Sequence, residues 1–115
     1  MPHRDLNLID AAQRASDGIN ALIDRPRARR LVHVSQMRDS GQAIAANIKE
    51  GFGRGGVRDR DRSLEIARGE TEETIEHLGT NFRSKRIAPK EYWPLHNLLV
   101  VIVKMLTSFL RRRRP

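Results

Sequence analysis

The chain has 115 residues, enough for one domain, and carries 22 Lys and Arg against 14 Asp and Glu, a formal net charge of +8. It has no cysteine, which excludes a disulfide framework, a zinc–thiolate centre and a thiol nucleophile and suits a reducing cytoplasm. So large a positive surplus points to an anionic partner, nucleic acid ahead of a membrane surface or an acidic protein.

The opening stretch, MPHRDLNLIDAA, has no long apolar core and no small-residue cleavage site, so it does not read as a secretory signal. A first helix is expected from about Asp5 to Asp24, with Leu6, Ile9, Ala12, Ile19, Leu22 and Ile23 at helical spacing. Pro26 ends it or opens the next. The second helix is expected from Pro26 or Arg27 to Glu50, where Val34, Met37, Gly41, Ile44 and Ile48 alternate steps of three and four. That spacing is the seam of a nearly antiparallel bundle. Gly51, Gly53, Gly55 and Gly56 then stop it.

Asp59 or Asp61 is the expected cap of a third helix ending near Ser84. One face carries Leu64, Ala67, Thr71, Ile75 or Thr74, Leu78 and Phe82; the other carries Glu65, Glu70, Glu72, Glu73 and Glu76. The fourth helix shows a wide apolar stripe of Leu95, Leu98, Leu99, Ile102, Met105, Leu106 and Phe109. Pro94 places its regular start at or near Trp93, with room for a looser turn from Pro89 ahead of it. Its longest purely apolar run, Leu98 to Val103, falls short of the ~20 residues a membrane helix needs, so a soluble, cytoplasmic protein without a membrane partner is expected. Four amphipathic helices with short links predict an all-α, antiparallel up-down-up-down four-helix bundle. Residues 1–110 form its single domain and residues 111–115 a solvated basic C-terminal tail.

This topology sorts the cations. Arg25, Arg27, Arg29, Arg30, Arg83, Lys85 and Arg86 gather at one end, and Arg4, Arg54, Arg58, Arg60, Arg62 and Arg111, Arg112, Arg113 and Arg114 at the other. Sixteen of the 22 basic residues thus sit at the two poles, which makes those poles the candidate phosphate-binding surfaces. With aromatic residues at only 4%, a base-stacking platform is not expected, and contacts should be chiefly to phosphate, salt-dependent and weakly sequence-selective.

Signals for catalysis are poor. Gly51-Phe52-Gly53-Arg54-Gly55-Gly56 formally matches G-x-G-x-x-G but follows a helix rather than a strand, which argues against a dinucleotide site. A phosphate resting on the loop amides beside Arg54 or Arg58 suits the stretch better. Glu73 and His77 lie one turn apart without the paired Glu-x-x-His motifs of a di-iron bundle. No hydrolase or P-loop motif is present. The expectation is a non-enzyme with no metal or cofactor. Asn47, beside the apolar seam, is expected to make an interhelical hydrogen bond that fixes register, with Arg68 and Glu73 in the same network.

Ala46-Asn47-Ile48-Lys49-Glu50-Gly51, followed by Ala67-Arg68-Gly69 and Glu73, resembles the four-helix bundle family encoded in intervening sequences of bacterial 23S ribosomal RNA. The resemblance covers about Gln36 to Leu110 and marks Asn47, Glu50, Gly51, Arg68, Gly69 and Glu73 as structural positions. It implies an antiparallel four-helix bundle and a homo-oligomer, with a homopentameric ring as the favoured form. A similar branch, the accessory proteins of diversity-generating retroelements, is basic, binds nucleic acid and partners a reverse transcriptase. Two departures stand out: the family's Ser is Glu70 here, and the segment before Val34 lacks a Pro-x-x-Glu start. The leading expectation is an oligomeric, non-enzymatic nucleic-acid-binding protein. The alternative is a protein-interaction scaffold or accessory subunit whose basic charge is incidental; a metal-dependent nuclease ranks third.

Overall fold

The computed structural model describes residues 3–26 and 30–112. It contains α1 (His3–Asp24), α2 (Val34–Gly53), α3 (Val57–Arg83) and α4 (Pro89–Arg112), and no strand among the described residues. Packed pairs are α1 with α2, α2 with α3, α3 with α4 and α4 with α1, with none across either diagonal. This is the expected four-helix bundle, elongated at 45 × 21 × 19 Å. Its core runs along the axis through Ile19, Met37, Ile44, Ile48, Leu64, Leu78, Leu99, Ile102 and Leu106, all fully buried.

Small residues set how closely the helices approach. A Cβ at Gly41 would stand 3.4 Å from Ile19 of α1, ordinary contact. One at Gly51 would stand 3.1 Å from Leu64 Cδ2 and 3.2 Å from the Arg60 carbonyl, tighter than packing comfortably allows. Gly51 therefore belongs to α2 and lets the start of α3 fold back against it. On α3 the inward line is Leu64, Ala67, Thr71, Thr74, Leu78 and Asn81, so Thr74 takes the core position and Ile75 is half-buried. The glutamates Glu65, Glu72, Glu73 and Glu76 point to solvent.

Four helix boundaries differ from expectation. α2 begins at Val34 rather than at Pro26 or Arg27, because His33 is left-handed (φ 58°, ψ 37°) and no helix runs through it. The preceding turn buries Leu31 and is clamped by a residue far away in sequence. The Val32 N–H donates to Asn81 Oδ1 at 2.8 Å, and Asn81 Nδ2 donates to the Val32 carbonyl at 3.0 Å and the His77 carbonyl at 2.9 Å. A buried amide thus supplies a peptide-like pair where backbone has none. α2 also ends later than Glu50, at Gly53, and α3 takes Gly56 as its N-cap with no side-chain cap, leaving Asp59 inside the first turn.

α4 contains Pro94 and begins at Pro89, so the segment ahead of Trp93 is regular helix rather than a looser turn. Proline suits a first helical position, and Glu91 accepts a 3.2 Å hydrogen bond from the Ala88 N–H, half of a capping box. Pro94 removes only a bond to the carbonyl of Lys90, where both residues are exposed to water. By length and composition α4 is also apolar enough to cross a membrane, although its Leu99, Ile102 and Leu106 are buried in the bundle.

The polar links between helices are not the expected ones. Asn47 donates to the Ala43 carbonyl one turn back at 2.9 Å, within its own helix. A polar side chain can satisfy itself that way without crossing to a neighbour. Cross-helix bonds from α3 are Ser40 Oγ with Thr74 Oγ1 at 2.7 Å, fully buried, and Arg68 Nη1 to Thr107 Oγ1 at 3.4 Å, while nearer the surface Arg38 reaches Asn20 and Asp24 of α1 and Lys49 reaches Gln13. Glu73 is exposed and takes no part in the Arg68 link.

Candidate nucleic-acid interface

One pole is built, among the described residues, from 24–26, 30–33 and 83–91. α3 ends there in a Schellman turn: the Arg86 N–H reaches the Asn81 carbonyl at 2.8 Å and the Lys85 N–H reaches the Phe82 carbonyl at 3.0 Å. The left-handed residue of that turn, normally glycine, is Lys85 at φ 62°. Two of the predicted arginines hold the turn together. Arg25 Nη1 grips both Glu91 oxygens at 2.7 and 2.8 Å, and its Nη2 donates to the Arg86 carbonyl at 2.8 Å. Arg86 Nη1 donates to the Arg30 carbonyl at 2.6 Å, which joins the two links of this pole. Arg25 is therefore a structural cation first, its charge paired with Glu91, whereas Arg86 is exposed and gives its donors to the Arg30 carbonyl and the Ser84 hydroxyl rather than to a carboxylate.

Arg30, Arg83 and Lys85 differ. All three are exposed and none has a carboxylate partner among the described residues. They line, with Arg25 and Arg86, a cleft of about 530 Å³ that has Phe82, Ile87, Ala88 and Pro89 as its apolar part. Five cations face one carboxylate there, Glu91. Phe82 is itself stacked on Tyr92, ring centroids 3.9 Å apart, with Trp93 edge-on at 5.7 Å. That aromatic group stiffens the wall of the cleft.

The other pole has a different balance. Arg54 pairs with Glu50 one turn back. Arg60 lies over the Phe109 ring, 5.4 Å to the centroid, and 3.6 Å from Asp61. Arg58 and Arg62 flank a depression shared with Asp59, Asp61 and Glu65. Two depressions at this pole draw three arginines (Arg54, Arg58 and Arg62) and four carboxylates (Glu50, Asp59, Asp61 and Glu65). No glycine of the loop has positive φ, so the loop lacks the left-handed residue of an amide nest. Arg111 is exposed near the end of α4. Arg27, Arg29, Arg113 and Arg114, and the side chains of Arg4 and Arg112, lie outside the described residues.

Of the positions marked by the sequence motifs, Gly51 has a clear packing role and Arg68 bridges to α4. Gly69 has none within the bundle: it is exposed, in mid-helix, with open space where a Cβ would stand. Asn81, Glu91 and the Ser40–Thr74 pair carry more of the structure than the motif alone suggests. Asn81 had a signal, since Ala67, Thr71, Thr74 and Leu78 set a spacing whose next inward step falls on it. Among the described residues, no three acidic or histidine side chains gather as metal ligands would.

The family described as 23S rRNA-intervening sequence protein matches residues 4–108. Among solved structures, a protein with unknown function from the S23 ribosomal protein family of Bacteroides thetaiotaomicron VPI-5482 superposes with a TM-score of 0.84. It is 26% identical, with 94% of this chain and 98% of that one covered. No curated protein matches the chain.

Proposed function

The chain belongs to the 23S rRNA-intervening sequence protein family, and from that footing we propose that it is a non-enzymatic, cytoplasmic, oligomeric protein that binds nucleic acid through phosphate contacts. The observation that carries the reading is the unequal charge of the clefts at the two poles, among the described residues. Five cations surround one carboxylate in the Glu91 cleft, while arginines and carboxylates nearly balance beside the glycine loop. Uncompensated positive charge in a concavity attracts a polyanion and loses self-repulsion when one binds. Repetition of the cleft around a homo-oligomer, a pentamer by family resemblance, raises a modest single-site affinity by multivalency.

The test is a binding titration against nucleic acid across a salt series. Removing one cation that touches a phosphate lowers the slope of log affinity against log salt by roughly 1. Replacing Arg30, Arg83 and Lys85 together should flatten the slope by about 3. Replacing Arg58 and Arg62 should change it less. A salt-independent affinity, or equal effects at both poles, refutes the reading.

A second reading rests on α3. Its outward face holds Glu65, Glu72, Glu73 and Glu76 around the exposed Ile66 and Gly69, a surface suited to a basic protein partner. Under that reading the triple cation replacement leaves partner capture intact, and Glu72→Lys with Glu76→Lys abolishes it.

A further inference from the structure

We propose that the cleft between the ends of α3 and α4 takes the end of a nucleic-acid strand, holding a terminal phosphomonoester among Arg30, Arg83 and Lys85 with its nucleoside against Phe82 and Pro89. The inference rests on the nucleic-acid reading and names the part of the ligand this pole selects.

The cleft is a short concavity rather than a track. Its volume of about 530 Å³ lies inside the range of small-ligand sites, ~300–1,000 Å³. It sits where the bundle ends, between the α3 turn and the first residues of α4. A strand interior follows a groove, whereas a strand end needs only one such pocket. The charge also favours an end. An internal diester carries one negative charge, while a terminal monoester carries about 1.5 to 2 near neutrality and offers three strong acceptor oxygens. Three exposed cations without carboxylate partners among the described residues match the monoester.

Two further features point into the same cleft. Lys85 occupies a left-handed position that costs a lysine backbone strain a glycine would not bear. Held there, its side chain belongs to the lining of the cleft with Arg83 from the preceding helical turn. The first turn of α4 opens onto the same space through Ala88 and Pro89, so its N-terminal dipole adds positive potential. Phe82 and Pro89 give the nucleoside an apolar seat, and Arg25, locked onto Glu91, keeps the wall in place beneath it.

The experiment uses the full chain and a short single-stranded RNA of fixed sequence in three forms: 5′-phosphate, 3′-phosphate and hydroxyl at both ends. Binding is read by anisotropy of a mid-strand dye and by the fluorescence of Trp93, the one tryptophan of the chain, which packs edge-on to Phe82. One phosphorylated form should bind at least about tenfold tighter than the hydroxyl form, the size of one charge-assisted hydrogen bond, and which one it is assigns the polarity. Arg83→Gln with Lys85→Asn should erase that ratio; Lys85→Asn alone, which suits the left-handed backbone, should reduce it if the double variant melts early. Arg58→Gln with Arg62→Gln should keep the ratio whatever it does to overall affinity.

Three forms binding equally would overturn the strand-end site and leave the nucleic-acid reading standing. Binding by none of them would overturn both. A ratio that survives the Arg83 and Lys85 changes would place the end elsewhere and overturn the assignment to this cleft.

Discussion

Replacing Asn81 by Ala tests the least local contact in the bundle. The side chain is fully buried and bonds to the Val32 N–H, the Val32 carbonyl and the His77 carbonyl at 2.8 to 3.0 Å, with a weaker bond to Met37 Sδ at 3.7 Å. The His77 bond duplicates an acceptor the helix already uses, so its loss is mild. The Val32 N–H, by contrast, is left in a half-buried turn without its partner. With about 1 kcal/mol for each net bond and about 1 more for the orphaned donor, the loss comes to ~3 kcal/mol. Against a stability of ~5–15 kcal/mol that is a large fraction, and for a chain this size it lowers the melting temperature by roughly 10–15 °C. Thermal and urea unfolding followed by far-UV circular dichroism reads it directly. Asn81→Leu restores volume without the bonds and should lose about as much, which separates hydrogen bonding from packing. Because Asn81 holds the turn that carries Arg30, nucleic-acid affinity should fall as well, well below the melting range. A loss under about 1 kcal/mol in both variants would refute the claim that this amide fixes the α1–α2 link.

Two glycines give opposite expectations. Gly69→Ala should stabilise the isolated bundle by about 0.5–1 kcal/mol, since the helix gains propensity and the new methyl meets nothing. Gly51→Ala should destabilise by about 1–2 kcal/mol, because the Arg60 carbonyl cannot yield as a side chain would. Unfolding midpoints of the pair check both. Ile48→Asp places a lone carboxylate in the fully buried seam and should abolish cooperative folding, as a melt without a sigmoid would show. Glu70 titrates above the ordinary carboxyl range, raised first by partial burial and then by the neighbouring Glu73. The folded protein therefore holds that proton to higher pH than the unfolded chain, and stability falls as pH rises just beyond the ordinary carboxyl pKa. Glu70→Gln should flatten that stretch of a urea-midpoint profile; an unchanged slope would show that Glu70 is not its source.

The four helices are legible in the sequence because their apolar residues repeat at the period of the structure they form, and Met37, Ile44 and Ile48 occupy the centre as their spacing requires. What the sequence hides is non-local. The start of α2 depends on Asn81, 49 residues away from Val32, and no local signal at Pro26 or Arg27 carries that information. Proline is a weaker stop on α4 than its chemistry suggests: Pro94 forbids one hydrogen bond, and near a helix start with water beside it that loss is small. An amide beside a seam often bonds across it, yet the helix that carries Asn47 offers the Ala43 carbonyl at 2.9 Å.

The poles show why counting cations along a chain does not locate a binding site. By sequence the two ends look alike, and the glycine-loop end even has more arginines. Availability is decided by where carboxylates fall, and helix starts attract carboxylates. At the glycine-loop pole the opening residues of α3 bring Asp59 and Asp61 among the arginines. At the opposite pole α2 opens with no acidic residue in its first turn, and the one that α4 supplies, Glu91, is held by Arg25. Arg30, Arg83 and Lys85 are left facing water together, and the same helix geometry that sets carboxylates among Arg54, Arg58 and Arg62 sets none beside these three among the described residues.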